Sequence, residues 1–409
     1  MIAGDARAAA EAAARSSYGR LLSLIAHSTR DIAAAEDALS HAFAEALRTW
    51  PINGVPDQPD AWLLTVARRA AGHARRHQGV RAAAMPALEL MYDAMQSRTP
   101  PEFPDERLKL MFVCAHPAID ETIRTPLMLQ TILGLDAARI ARAFLVEAGA
   151  MSQRLVRAKS KIRDAGLAFE VPAPDEIGSR LADVLSAIYA AYSLGWDDLP
   201  GEEGAGEALT TEAIFLARLI VSLLPTEPEA KGLLSLMLAS EARAGARRTP
   251  DGAYVPLSQQ DVHRWDGAMI AEAEANLRAA AAIGHPGRFQ TEAAIQSLHN
   301  HVRLTGEDAP GALLALYDLL VHQSPAIGAA VARAAAYGEH QGPEAGLACL
   351  DELPRRFAEG YQPYWAARLH LLRRAGRSVE AAEAAAKAIT LTRDPAVAAW
   401  LKAQLGPMQ

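Results

Sequence analysis

The chain has 409 residues, half of them hydrophobic, 22% charged and only 6% aromatic, and it carries a net charge of −7. That length suits two or three domains, and 28 Gly, 24 Pro and 2 Cys exclude collagen-like, disulfide-scaffold and wholly disordered classes. The longest apolar runs are too short for a membrane span, the first residues lack the build of a signal peptide, and a cytoplasmic location is expected. The charge is unevenly spread. Residues 1–171 hold 21 Lys+Arg against 19 Asp+Glu, a balance of +2, and the rest hold 20 against 29, a balance of −9. A polyanion is the candidate partner for the front half.

Alanine runs beside Leu, Glu and Arg are rich in strong helix formers, and alternating β patterns are nearly absent, so the fold is predicted all-α. The stretch nearest to a strand is Gly252–Pro256. The first block, 8–82, opens with a helix carrying Tyr18, Leu21, Leu22 and Ile25. Asp31 starts a second helix with Ile32, Ala35, Leu39, Phe43, Ala46 and Leu47 at helical spacing. The Pro-rich stretch Trp50–Pro59 reads as a loop. Asp60 is placed to cap a third helix that contains Trp62, Leu63, Leu64 and Val66 and ends in Arg68, Arg69, Arg75 and Arg76. No acid interrupts the chain between Asp60 and Glu89, so these arginines form a basic face suited to DNA, while Trp62 reads as core. Residues 83–104 lose the periodicity and read as a linker.

The second block, 105–170, begins with the amphipathic Leu108, Leu110, Met111 and Phe112, and a helix over 121–133 stops at Gly134. Asp136 caps a short helix, Glu147–Gly149 makes a turn, and a basic helix over 150–163 follows. Two short helices with a tight Gly-containing turn form the helix-turn-helix pattern. In the second of these helices Met151, Leu155, Val156 and Ile162 are expected inward. Ser152, Gln153, Arg157 and Lys161 then face a major groove, with Arg154 and Lys159 for phosphates.

After Pro172 and Pro174, residues 175–409 read as successive helices over 177–195, 207–224, 228–244, 261–283, 289–304, 309–322, 325–341, 343–358, 362–375 and 378–392. Residues 366–391 have the small-residue and Gly-turn spacing of a tetratricopeptide unit, an array type that buries one face by stacking and takes a protein partner. Cys114 and His116 with His73, His77, Asp120 and Glu121 fit no zinc spacing, so no metal site is expected. Tyr189, Tyr192, Trp196, Asp197 and Asp198 read as packing aromatics beside a polar loop. No phosphate loop, nucleophile elbow or metalloprotease motif appears, so neither a catalytic residue nor a cofactor is expected.

Residues 36–43 and 50–69 resemble region 2 of an extracytoplasmic-function sigma factor, and 105–118, 135–146 and 151–163 resemble its region 4. Leu223–Pro228, Leu233–Leu238, Arg264–Asp266 and the closing helical pair are similar to the subgroup with a long tetratricopeptide-like C-terminal extension. The chain departs from that pattern at Gly72-His73-Ala74, Cys114-Ala115 and Ser193–Trp196. The resemblance implies a non-enzymatic subunit of bacterial RNA polymerase that binds core polymerase and promoter DNA. Region 2 would meet core polymerase through Glu36, Asp37, Leu39 and Phe43 and open the −10 element, and region 4 would read the −35 element. The acidic extension would either occlude the recognition helix or dock a partner. The competing expectation is a stand-alone helix-turn-helix regulator with a sensing helical array, which needs dimer symmetry to read two half-sites.

Overall fold

The computed structural model describes residues 2–77, 105–144, 146–170, 172, 174–196 and 205–405. The expected linker, 83–104, lies outside the described residues. The fold is all-α: the described residues form nineteen α-helices and no strand, with one isolated antiparallel bridge from Arg248 to Tyr254 next to the stretch nearest to a strand in sequence. No described helix is long and apolar enough to cross a membrane. Two compact units emerge, one running to Asp197 and resuming over 202–223, the other built mainly from Leu224 onward.

In the first unit, α1 (Ile2–Thr29), α2 (Ile32–Asn53) and α3 (Pro59–His77) pack on one another. Asp31 caps α2 as expected, its carboxylate accepting from the Ala34 amide at 3.2 Å. The stretch read as a loop from Trp50 is helical to Asn53, with Pro51 inside the last turn. Pro51 removes one backbone donor there, and Trp50, 1% exposed and edge-to-face with Trp62 at 5.5 Å, anchors the turn. Asp60 lies within the first turn of α3 and accepts from Ser17 Oγ and Arg20 Nη2, both at 2.6 Å, which ties α3 to α1.

Four further helices follow: α4 (Glu106–Cys114), α5 (Glu121–Leu133), α6 (Ala137–Ala143) and α7 (Ala148–Asp164). Gly134 ends α5 in the left-handed conformation at φ 66°, its amide donating to the Gln130 carbonyl. Asp136 caps α6 through the Arg139 amide at 2.7 Å, and Glu147 caps α7 through the Ala150 amide at 2.9 Å. The helices α4 and α5 pack against α1, and α7 packs on α6, α5 and α2.

The first two helices of the acidic extension, α8 (Pro174–Trp196) and α9 (Ala205–Leu223), belong to this same unit, so the compact body ends at Leu223 and not at the expected boundary near 175. Their apolar residues Ala187, Ile188 and Leu216 meet Met111, Met128, Leu129 and Ile132 of α4 and α5. Arg124 pairs with Asp183 at 2.7 Å. Arg107 pairs with Asp105 and Glu212 and lies 4.8 Å over the Phe215 ring. Tyr192 and Trp196 pack together with centroids 5.6 Å apart, and Tyr192 is buried.

The second unit runs from α10 (Pro228–Glu241) through α11 (Gly267–Ile283), α12 (Arg288–Thr305), α13 (Pro310–Gln323), α14 (Ile327–His340), α15 (Pro343–Asp351), the single turn α16 (Arg355–Ala358), α17 (Gln362–Arg374) and α18 (Ser378–Leu391) to α19 (Pro395–Ala403). The helix expected from 261 starts at Gly267, because the Asp266 carboxylate caps the Ala268 and Met269 amides. The expectation did not include α19, whose cap Asp394 is held by Arg248 at 2.6 Å and whose Trp400 meets Tyr254 edge-on. Small residues set the close approaches in this stack. A Cβ on Gly346 would stand 2.6 Å from the Ala334 carbonyl oxygen.

Candidate nucleic-acid interface

The geometry of α7 follows from one apolar stripe. Met151, Leu155, Ala158 and Ile162 are buried, at helical spacing, against the neighbouring helices. That leaves Ser152, Gln153, Arg154, Arg157 and Lys161 exposed on the opposite side. Arg157 Nε reaches back only to the Gln153 carbonyl, at 3.4 Å, so its guanidinium remains directed along an open face. Val156 was expected inward. It is 57% exposed in the middle of this polar face, because the buried stripe runs through Ala158 instead.

Lys159 departs from expectation more sharply. It is 7% exposed and its Nζ lies 2.6 Å from Glu36 Oε2 on α2. In this arrangement it is an internal ion pair and not a phosphate contact. One turn on, Arg163 Nη1 stands 4.0 Å from the Asp31 carboxylate, also on the α2 side. Cys114 lies fully buried near this pair, 3.7 Å from Thr131 Oγ1, and burial pushes its thiol up to about 12. It is a small apolar core group. Among the described residues no cluster of three or more His, Cys, Asp or Glu could hold a metal ion.

The second basic feature divides along α3. Arg69 is exposed, while Arg68 is half-buried with Nε and Nη2 unpaired inside the protein, and burial lowers its pKa. Arg75 and Arg76 fall in the last turn of α3, and their side chains lie outside the described residues. Of the four residues expected to meet polymerase, Asp37 is exposed, Phe43 is half-buried, and Glu36 is engaged with Lys159. Leu39 is fully buried on the inward stripe of α2 and is corrected to a core residue. Sequence reasoning missed the apolar surface that replaces it: Leu47 is 51% exposed and Ile52 80% exposed at the far end of α2. The signal was present in the period of the helix, since the buried stripe Ile32, Ala35, Leu39, Ala42, Ala46 and Trp50 leaves Leu47 outside it.

Residues 14–81 match the sigma-70 region 2 family, and residues 180–281 match a family of unknown function (DUF6596). The second match spans the boundary at Leu223 between the two units. The chain is 37% identical over 383 residues to an uncharacterized protein of Rhizobium meliloti (strain 1021), covering 92% of this chain and 90% of that protein. No solved structure matches the chain. With the similarity to the rhizobial protein running nearly end to end, the chain belongs to the same family as that relative, and its helices α1–α3 match a sigma-70 region 2 domain, which supports a place in the sigma-70 family.

Proposed function

We propose that the chain is an extracytoplasmic-function-type sigma factor, a dissociable subunit that gives core RNA polymerase its promoter in the cytoplasm. Its role is binding, with bond-making left to the polymerase. The region 2 match over α1–α3 supports polymerase and −10 contacts by that part. Within it, exposed Asp37, half-buried Phe43 and exposed Leu47 and Ile52 supply the mixed acidic and apolar surface of α2 for the polymerase. Helices α6 and α7 act as region 4, and α7 enters the −35 major groove through Ser152, Gln153, Arg157 and Lys161, with Arg154 on phosphate. The C-terminal stack is the part that docks a protein partner. The observation that carries the reading is the free polar face of α7, basic and without an acid between Glu147 and Asp164, in the same compact unit as region 2. A stand-alone regulator has no need of region 2, and this alternative is not favoured.

The test is run-off transcription with purified bacterial core polymerase on a library of genomic promoter fragments. Transcripts that start at defined sites only when the full chain is added support the reading. A chain that neither co-purifies with core polymerase nor directs any start site overturns it.

A further inference from the structure

The charge of the C-terminal extension reverses along its length. Residues 172–352 hold 11 Lys+Arg against 25 Asp+Glu, a balance of −14, while residues 353–409 hold 9 against 4, a balance of +5. In that basic end a groove of about 270 Å³ opens between α17 and α19. Ala366 and Leu369 of α17 and the Trp400 ring of α19 are its apolar lining, and His370, Arg373, Arg374 and Gln404 are its polar lining. Trp400 is held by its neighbours: its ring meets Tyr254 edge-on with centroids 5.6 Å apart, and Arg248 fixes Asp394, the cap of α19, at 2.6 Å.

The cations of this groove are not equivalent. Glu339 of α14 takes Arg374 at 2.8 Å and His370 at 2.5 Å, and the Gly338 carbonyl accepts a further bond from Arg374 at 3.1 Å. Arg373 has no carboxylate partner among the described residues. Its Nη1 donates instead to the neutral Gln404 Oε1 at 2.7 Å. Two guanidinium charges therefore face one carboxylate, and the half-buried Arg373 is the one left over. A guanidinium that spends one N–H on an amide oxygen keeps its other donors for an anion, and it holds a carboxylate through two parallel bonds.

We propose that this groove binds a small monocarboxylate with a flat apolar body, the carboxylate on Arg373 and the ring against Trp400 and Leu369. Charge selects the monoanion. A dianion such as phosphate brings a second negative charge close to Glu339 with a single unpaired cation to meet it, and the repulsion offsets the gain. Volume selects the size. Ligand pockets run from about 300 to 1,000 Å³, so this groove suits one ring or a fused pair and is too small to enclose a nucleotide. A carboxylate on Arg373 competes with Gln404 for the guanidinium, so the ligand takes over the link between α17 and α19 that the amide now makes. The site lies wholly within the second unit and rests on no reading of α2, α3 or α7, and it gives the stack a ligand of its own beside any protein partner.

The test labels the full chain with fluorotryptophan and follows its six indole signals by fluorine NMR during titration with benzoate, phenylacetate and indoleacetate. Trp400→Phe assigns the signal of the groove. The expected result is a shift of the Trp400 signal that saturates below about 10 mM of at least one acid, with the matched neutral amide about tenfold weaker. Arg373→Gln should weaken the acid about tenfold and leave the amide unchanged. Gln404→Glu should do the same, because it sets a competing carboxylate on Arg373 at nearly the same shape. Arg377→Gln, at an exposed arginine paired with Glu380, controls for lost charge and should stay close to the parent. No saturation by about 10 mM of any of the three acids overturns the proposal, as does an amide that binds as tightly as its acid. Inorganic phosphate displacing the acids at equal concentration overturns it in favour of a plain anion site, and a capped Leu-Asp-Leu peptide binding tighter than all three acids overturns it in favour of a protein segment. Should Arg373→Gln lose its cooperative thermal melt, Gln404→Glu decides: acid affinity equal to the parent's overturns the assignment of Arg373.

Discussion

Replacing Arg107 by Met should cost far more than a surface arginine does. The side chain is 9% exposed, holds Asp105 at 2.5 Å together with Glu212, and covers the Phe215 ring. Its removal leaves a mostly buried Glu212 carboxylate without a cation, and breaking one partner of a buried pair destabilises by about 3–5 kcal/mol. The pH dependence follows from the carboxylates. Burial already holds Glu212 above its ordinary value while Arg107 pulls it down, so Arg107→Met raises it further. A folded pKa above the unfolded one penalises folding at higher pH, and the penalty fades as pH falls through the folded value. The destabilisation should therefore be largest near neutral pH and shrink toward the ordinary carboxylate range. Urea unfolding of the full chain, with native-state hydrogen exchange in α4 and α9, reads both effects. Arg107→Met/Glu212→Leu should recover much of the loss, because an apolar replacement leaves no orphaned charge in α9. A loss below about 1 kcal/mol in the single variant, or one that grows on acidification, would refute the reasoning.

Arg157→Ala and Lys161→Ala should each weaken binding to the preferred −35 duplex by about 1–3 kcal/mol if the side chain reads a base edge, measured by titration at fixed salt. An exposed Val156 amid those groups should contact a thymine methyl. Uracil for thymine at one position of that duplex is expected to cost about 0.8 kcal/mol in the parent and nothing in Val156→Ala. His299, half-buried beside the Tyr317 hydroxyl at 3.1 Å, is lowered from 6.5 to about 4 by desolvation first and the Arg243 charge second. Stability of the second unit should fall by up to about 3 kcal/mol as pH drops from about 6.5 to 4, because the unfolded chain takes up the proton first, and His299→Gln should flatten that slope in thermal melts. Gly346→Ala should destabilise the α14–α15 pair by about 1–3 kcal/mol, since a backbone carbonyl and not a flexible side chain meets the new Cβ; denaturant melts of the full chain check this.

Local chemistry was legible from the residues alone. Asp31, Asp136 and Gly134 mark helix ends because a carboxylate or a left-handed glycine satisfies backbone groups within a few residues, wherever the helix then packs. The side of α7 carrying Ser152, Gln153, Arg157 and Lys161 was legible from its period. The burial of Lys159 was not, because it depends on a neighbour from a distant part of the chain, nor was the exposure of Val156, because the period alone does not say whether the buried stripe passes through 156 or 158. Glu36 is 123 positions from Lys159, and a helical period does not reveal which flank of an apolar stripe meets another helix. The boundary at Leu223 was missed for the same reason. Pro172 and Pro174 do punctuate the chain, but punctuation marks a change of direction and says nothing of which core the next helices join.

The seating of α8 and α9 on α4 and α5 has a consequence for how such a chain can be inherited. A gene shortened after codon 171 would leave Met111, Met128, Leu129 and Ile132 without the cover of Ala187, Ile188 and Leu216, and Arg107 and Arg124 without Glu212 and Asp183. The front half thus has no clean seam at its proline junction, and a deletion there would expose apolar surface and strand two arginines. The first compact body closes one helical pair later, at Leu223, and the family match over 180–281 runs on across that point, so the pair and the start of the terminal stack travel together.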